Sequence, residues 1–145
     1  MLLVVGATGL VGSEVCHKLA KRGKQVRALV RVTSDKNKVE ALRSAGIELC
    51  FGDLKEPGSL AVACRGITAI VSTASSTLSR AEGDSIESVD DAGQLNLVAA
   101  AKAARINRFV FVSFRKPQGI TASLVEAKLG VENAIANMNF TPNTP

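Results

Sequence analysis

Apolar residues fall along this chain in short unbroken blocks, separated by stretches in which they recur every three or four positions. Leu2 to Val5 is such a block, ended by Gly6, and reads as a strand buried on both faces. Val11, Val15 and Leu19 then recur at helical spacing, so a helix is expected from about Leu10 to Arg22 with Gly23 as its stop. Gln25 to Val30 predicts a second strand. Ser34 is placed to cap a helix running to about Ala45, Gly46 to end it, and Ile47 to Phe51 to form a third strand. Pro57 opens a short helix through Cys64, and Ile67 to Val71 is a fourth strand. The Ser- and Thr-rich stretch from Ser72 to Gly83 reads as a loop. One long helix is expected from about Ser85 to Arg105, a fifth strand over Phe109 to Val112, a loop through Pro117 and Gly119, and a last helix from about Thr121 to Asn137.

Short strands alternating with helices predict an α/β fold, a doubly wound parallel sheet with helices on both faces, because parallel strands need crossover connections. Right-handed crossovers favour the strand order 3-2-1-4-5. Ligands of such sheets bind beyond the C-terminal strand ends where the order reverses, here at Gly6 and Ser72.

Composition narrows the picture. With 145 residues, 46% of them apolar and 21% charged, the chain is expected to fold as one globular domain spanning 1–145. No apolar run approaches the roughly 20 residues that cross a bilayer, and the opening lacks the basic segment of a signal peptide, so the chain reads as soluble and cytoplasmic. Cys16, Cys50 and Cys64 are odd in number and share no CxxC spacing, which points to free thiols, and no metal constellation is visible. Net charge is +5, and residues 1 to 43 hold nine basic groups against three acidic ones, so the surplus lies in one third of the chain and points toward an anion. Solvated lysines on helix faces would produce the same count. Nucleic acid is not expected, since Trp and Tyr are absent and no recognition motif is present.

Gly6-Ala7-Thr8-Gly9-Leu10-Val11-Gly12 joins the first predicted strand to the first predicted helix. A GxxGxxG loop in that setting suits a pyrophosphate: the first glycine permits the turn, the second lets backbone approach the ligand, the third lets helix and strand pack, and the helix N-terminus supplies N–H donors. This loop, VRALVR at 26–31, Gly52-Asp53, DDAGQLNLVAAAK at 90–102, RFVFVS at 108–113 and EAKLGVENAI at 126–135 together resemble an atypical short-chain dehydrogenase/reductase of the NmrA-like kind. The resemblance covers residues 1 to about 140 and implies a Rossmann-like fold.

That resemblance implies a set of contacts. Gly6, Thr8, Gly9, Leu10, Val11 and Gly12 would hold the pyrophosphate. Arg31, at the end of strand two where NAD-binding proteins place an acid, would meet a 2′-phosphate, which favours NADP(H) over NAD(H). Asp53 and Leu54 would lie near the adenine, although a turn acid would read the same way as Asp53. Ser72, Thr73 and Ala74 would let the cofactor lie against the backbone at the switch point, as small residues would in any loop.

The YxxxK pair of most short-chain dehydrogenases is incomplete. Lys128 matches the lysine, but Leu124 stands at the tyrosine position and the chain has no tyrosine. Leu124, Lys128, Val131, Ile135 and Met138 fall on one helix face, so Lys128 is expected among apolar neighbours, either meeting ligand hydroxyls and managing a proton or snorkelling to water. Ser113 matches the family's site-facing serine and would equally suit a local backbone contact. Asn96 is placed on an inward stripe with Val89, Ala92, Ala99 and Ala103 and reads as structural. His17 reads as a solvent-exposed helix residue.

The function implied is an NADP(H)-binding oxidoreductase passing hydride to or from a small carbonyl, quinone or alkene. Missing tyrosine favours a rival, a redox-sensing regulator that binds the dinucleotide and acts through a protein partner. Relatives in this family carry a further strand and a C-terminal substrate part, which Asn139 to Pro145 cannot supply. Strand five, apolar along both faces, is therefore expected at a sheet edge, open to self-association.

Overall fold

A computed structural model describes residues 1–77, 81–113 and 123–138. Five parallel strands, β1 (Leu2–Val5), β2 (Val26–Val30), β3 (Glu48–Phe51), β4 (Ala69–Ser72) and β5 (Arg108–Phe111), lie in the order β3-β2-β1-β4-β5. They alternate with α1 (Leu10–Lys21), α2 (Lys36–Ser44), α3 (Pro57–Ala63), a π-helical turn (Ile86–Asp91) that runs into α4 (Ala92–Ala103), and α5 (Ser123–Ala136). This is the Rossmann-like topology expected from the alternation. The loop through Pro117 and Gly119 and the tail from Asn139 lie outside the described residues.

The continuous apolar run of β1 divides between two cores because successive side chains point to opposite faces. Leu3 and Val5, with Leu29 and Ile70, pack against Leu60 of α3, Leu97 of α4 and Val131 of α5. Val4, with Ala28 and Val30, packs against Cys16 of α1 and Leu42 of α2. The register sets Leu2 opposite both Val26 and Ala69, so the ends of β1 and β4 emerge side by side at Val5 and Ser72. Burial pushes the Cys16 thiol up to about 11, and burial chiefly does the same for Cys64, so both stay protonated at neutral pH. Among the described residues no helix is long and apolar enough to cross a membrane.

Several local expectations are corrected. Asp35, not Ser34, caps α2: its carboxylate accepts from the Lys38 N–H, while the Ser34 hydroxyl turns back to accept from the Arg31 N–H. In α1 the buried positions are Gly12 and Cys16, and Val11 lies exposed at the mouth of the sheet, because the first turn sits beyond the strand ends rather than over them. His17 is half-buried. The long helix is not one α-helix. A Ser85–Ser88 capping box starts the π-helical turn, whose wider winding changes the phase of α4 behind it. The buried face of α4 is therefore Gly93, Gln94, Leu97, Val98 and Ala101, whereas Ala92, Ala99 and Ala103 are exposed. β5 is a sheet edge as expected, but it is not covered on both faces, since Val110 is 55% exposed.

Ile70 is fully buried at the centre of β4. Ile70→Ala should cost about 2–5 kcal/mol in chemical denaturation. Val110→Ala, on the open face of β5, should stay within about 0.5 kcal/mol.

Candidate functional site

Two chain crossings shape the switch point. Gly6 leaves β1 with φ +84°, and a Cβ there would stand 2.5 Å from Thr73 Oγ1 and 2.7 Å from the Ala74 nitrogen. A Cβ on Gly12 would overlap the Gly6 carbonyl oxygen. Neither position admits a side chain, and the reason is backbone pressed on backbone. The turn is closed by the Gly9 N–H donating to Gly6 O at 3.0 Å and the Ser13 N–H to Gly9 O at 2.9 Å. Thr73 ties the exit of β4 to the exit of β1 through its N–H and hydroxyl, both donating to Val5 O.

Gly9 caps α1 with no side chain to accept from the first-turn N–H groups, and no acidic residue stands in that turn. Leu10 is 82% exposed, so this end of the helix is open to an anion. Thr8 is half-buried beside it. The loop is the kind of cradle a pyrophosphate occupies, with glycines where a ligand or another backbone must come close.

Beside the loop lies a narrow cavity of about 60 Å³, lined by Gly6, Arg31, Asp53, Leu54, Ala74 and Val89 among others. Five of the residues singled out from the sequence meet there: Gly6, Arg31, Asp53, Leu54 and Ala74. Asp53 is also a turn acid, its Oδ1 accepting the Lys55 N–H at 2.9 Å. Ser72 and Thr73 are not brought to the cavity by their hydroxyls. Ser72 is fully buried and donates to Gln94 Oε1 at 2.8 Å, and Thr73 braces the glycine turn. Asn96 donates to Leu54 O at 2.9 Å, which fixes one cavity wall and makes it a structural residue.

Of the nine basic groups in residues 1–43, Arg31 reaches the cavity. Arg27 is spent on Glu48 and on the carbonyls of Ala63 and Arg65, and Arg43 on Glu40. Arg31 itself is paired: its Nη1 lies 2.6 Å from Asp84 Oδ2, and Lys55 Nζ lies 2.6 Å from Asp84 Oδ1. Burial, the strongest single influence on Asp84, pushes its carboxyl up. The hydrogen bonds from Lys55, Arg31 and the Ala81 N–H outweigh it and bring the group down to about 2.

A second polar cluster lies between the β4 exit, the π-helical turn and α5. Asp90 is buried, and its Oδ2 accepts from the N–H and hydroxyl of Ser76, while its Oδ1 has no hydrogen-bond partner among the described residues. Lys128 is buried on α5, as the stripe predicted; its Nζ donates to Val112 O at 3.1 Å and lies 4.9 Å from the centre of the Phe111 ring. Burial lowers the Lys128 pKa, and the charges of Asp90 and Glu132 pull it back. Ser113, half-buried, directly follows the carbonyl that Lys128 holds. Leu124, at the tyrosine position, is half-buried. Asp84, Asp90, Lys55 and Gln94 were not singled out from the sequence; the one available signal was that Asp90 and Gln94 fall within the family-like segment at 90–102 and Lys55 lies just after Gly52-Asp53.

A parallel sheet reversing at β1 and β4, with a glycine turn and an uncapped helix N-terminus at the reversal, defines a Rossmann-like α/β protein. The chain belongs to the NmrA-like family, whose model matches residues 1–143. It is 36% identical over 140 residues to the photosystem II assembly factor Ycf39 of Trieres chinensis, covering 96% of this chain and 42% of that protein. An NADPH-dependent quinone oxidoreductase of Escherichia coli, solved with NADPH, superimposes with TM-score 0.76 at 25% identity, covering 97% of this chain and 46% of that one. The triphenylmethane reductase of Citrobacter sp., solved with NADP(H), gives TM-score 0.75 at 26% identity, covering 97% and 46%. The chain thus spans less than half the length of each of these proteins.

Gly12→Ala should destabilise the fold by more than about 2 kcal/mol, since relief requires moving backbone. Gly9→Ala, whose Cβ would sit 3.2 Å from Gly6 O, should cost less. Thermal unfolding of the two variants side by side measures the difference.

Proposed function

We propose that this chain binds NADP(H) in preference to NAD(H) and serves an oxidoreductase that passes hydride to or from a small carbonyl, quinone or alkene. The observation that carries this reading is that Gly6, where the glycine cradle begins, and Arg31 line one cavity at the switch point. A guanidinium at the end of β2 is suited to a 2′-phosphate, and the two reductase neighbours were solved with the phosphorylated cofactor.

The bound cofactor would supply the hydride, and the chain's own residues supply placement and the accompanying proton. The open N-terminus of α1 orients the pyrophosphate, and the wall of Leu54 and Val89 excludes water from one side of the cavity. Lys128 is the group we assign to the proton. As an ammonium it can give one to the carbonyl oxygen, which takes up negative charge when hydride adds to the carbon beside it, and its lowered pKa makes that release easier than from an exposed lysine. Ser113 is assigned the adjacent hydroxyl contact.

A second reading has its own support: Leu124 in place of the tyrosine acid, and a relative named as an assembly factor. In it the chain binds the dinucleotide and acts through a protein partner without turnover. The two readings differ in an assay of NADPH oxidation with quinones and aldehydes, which the first requires to be positive.

NADPH should bind more tightly than NADH in calorimetric titration. Arg31→Gln should weaken NADPH by about 10- to 100-fold, the scale of a hydrogen bond to a charged group, and leave NADH nearly unchanged. Equal affinities of the unaltered chain for both cofactors would remove the assignment.

Lys128→Met should fold, since methionine fits an apolar face, and should abolish turnover. Because the folded-state pKa of Lys128 is lowered, the charged form is disfavoured by folding below that pKa, and the penalty fades as pH rises from it toward 10.5. The variant should therefore equal or exceed the parent in stability at neutral pH, with the gap narrowing in alkaline solution, as read by denaturation at pH 7 and pH 10.

A further inference from the structure

The ion cluster beside the cavity has a consequence for cofactor choice. Asp84 comes from the segment before the π-helical turn, Arg31 from the end of β2, and Lys55 from the turn after β3, so three distant parts of the chain meet at one carboxylate. The Asp84 side chain is only 2% exposed, and each of its oxygens takes one cation at 2.6 Å. Arg31 and Lys55 keep about a third of their side-chain surface open, at 31% and 27%. Two cations converging on one small anion is the arrangement a phosphate group also seeks.

We propose that Asp84 is a specificity-determining residue: by occupying Arg31 and Lys55 it sets how strongly the site separates a 2′-phosphorylated dinucleotide from an unphosphorylated one. This rests on the reading of the cavity as the adenosine end of a dinucleotide site. Lys55 Nζ also lies 3.8 Å from Asp53 Oδ2, so the cluster of Arg31, Lys55, Asp53 and Asp84 is neutral with Asp84 in place and carries one net positive charge without it. A phosphate carrying about −1.5 to −2 at neutral pH feels that difference fully, and its oxygens compete with the carboxylate for the same N–H donors. A 2′-hydroxyl is uncharged and competes for neither cation. Asp84 therefore weakens NADPH selectively and narrows the gap between the two cofactors. The aspartate stays ionised throughout the neutral range, so the effect is a constant bias rather than a pH switch.

The test measures dissociation constants of NADPH and NADH, and of 2′,5′-ADP and 5′-AMP as their adenosine ends, for the unaltered chain and Asp84→Asn. The ratio of NADH to NADPH dissociation constants should rise by about tenfold in the variant, equivalent to about 1.4 kcal/mol, chiefly through tighter NADPH. The two adenosine fragments should show the same change. Asp84→Glu, which keeps the charge, should keep a ratio near that of the unaltered chain. A ratio that is unchanged or falls in Asp84→Asn, while the unaltered chain binds the cofactors, overturns the role of Asp84 alone. Failure of the unaltered chain to bind either cofactor overturns the proposed function and this inference with it. Should thermal melting show that Asp84→Asn is unfolded, hydrogen exchange of the unaltered chain decides. Saturating 2′,5′-ADP should speed exchange over residues 81–85 and 5′-AMP should not; equal protection with both ligands overturns the proposal.

Discussion

The arrangement rests on one steric constraint, the contact of the first turn of α1 with the backbone that leaves β1. Gly12 lies against the Gly6 carbonyl so closely that no side chain fits between them, and Gly6 in turn lies against Thr73 and Ala74 at the end of β4. Two strand ends and a helix are thereby gathered at one point. The same closeness that forbids a Cβ leaves backbone N–H groups at the surface, because Gly9 brings no side chain to cover them. A ligand cradle is thus a by-product of tight packing between helix and sheet. β1, at the middle of the order, supplies apolar side chains to both cores, so the turn is anchored from both sides of the sheet.

Around this rigid centre the charged groups are sorted into two clusters with different physics. Arg31, Lys55, Asp53 and Asp84 form a partly open network in which two cations share the buried Asp84 carboxylate, and strong hydrogen bonds overcome its burial. Asp90, Ser76 and Lys128 lie deeper. There burial dominates, the lysine is pushed toward its neutral form, and one carboxylate oxygen of Asp90 has no hydrogen-bond partner among the described residues. The first cluster suits recognition of a fixed anion. The second suits a group whose proton is held loosely, and a buried unpaired acceptor is the kind of feature that folded proteins otherwise avoid.

The edge strand shows how the same alternation of residues can mislead. Phe109, Val110 and Phe111 have the composition of a strand covered on both sides, yet Phe109 and Phe111 alone turn toward the core while Val110 faces outward. The helical stripe over 89–103 misled for a different reason. A π-helical turn is built by hydrogen bonds one residue longer than those of an α-helix, and its effect on phase is invisible to a count of apolar spacings.

The strand order, the glycine turn, the two-sided burial of β1, and the inward place of Lys128 were all legible in the residues alone. Each of these follows from local rules: side-chain alternation, glycine where backbone crowds, right-handed crossovers, and a helical stripe of constant phase. The family resemblance marked Gly6, Arg31, Asp53, Leu54 and Ala74, which do line one cavity. Contacts across the fold settled which anion Arg31 holds, that Asp84 gathers Arg31 and Lys55 from 53 and 29 residues away along the chain, and that Ser72 turns inward to Gln94. Those pairings depend on where loops cross in space. Ionic and hydrogen-bonding groups many residues apart leave no periodic trace in the chain, whereas packing of neighbours along a strand or helix does.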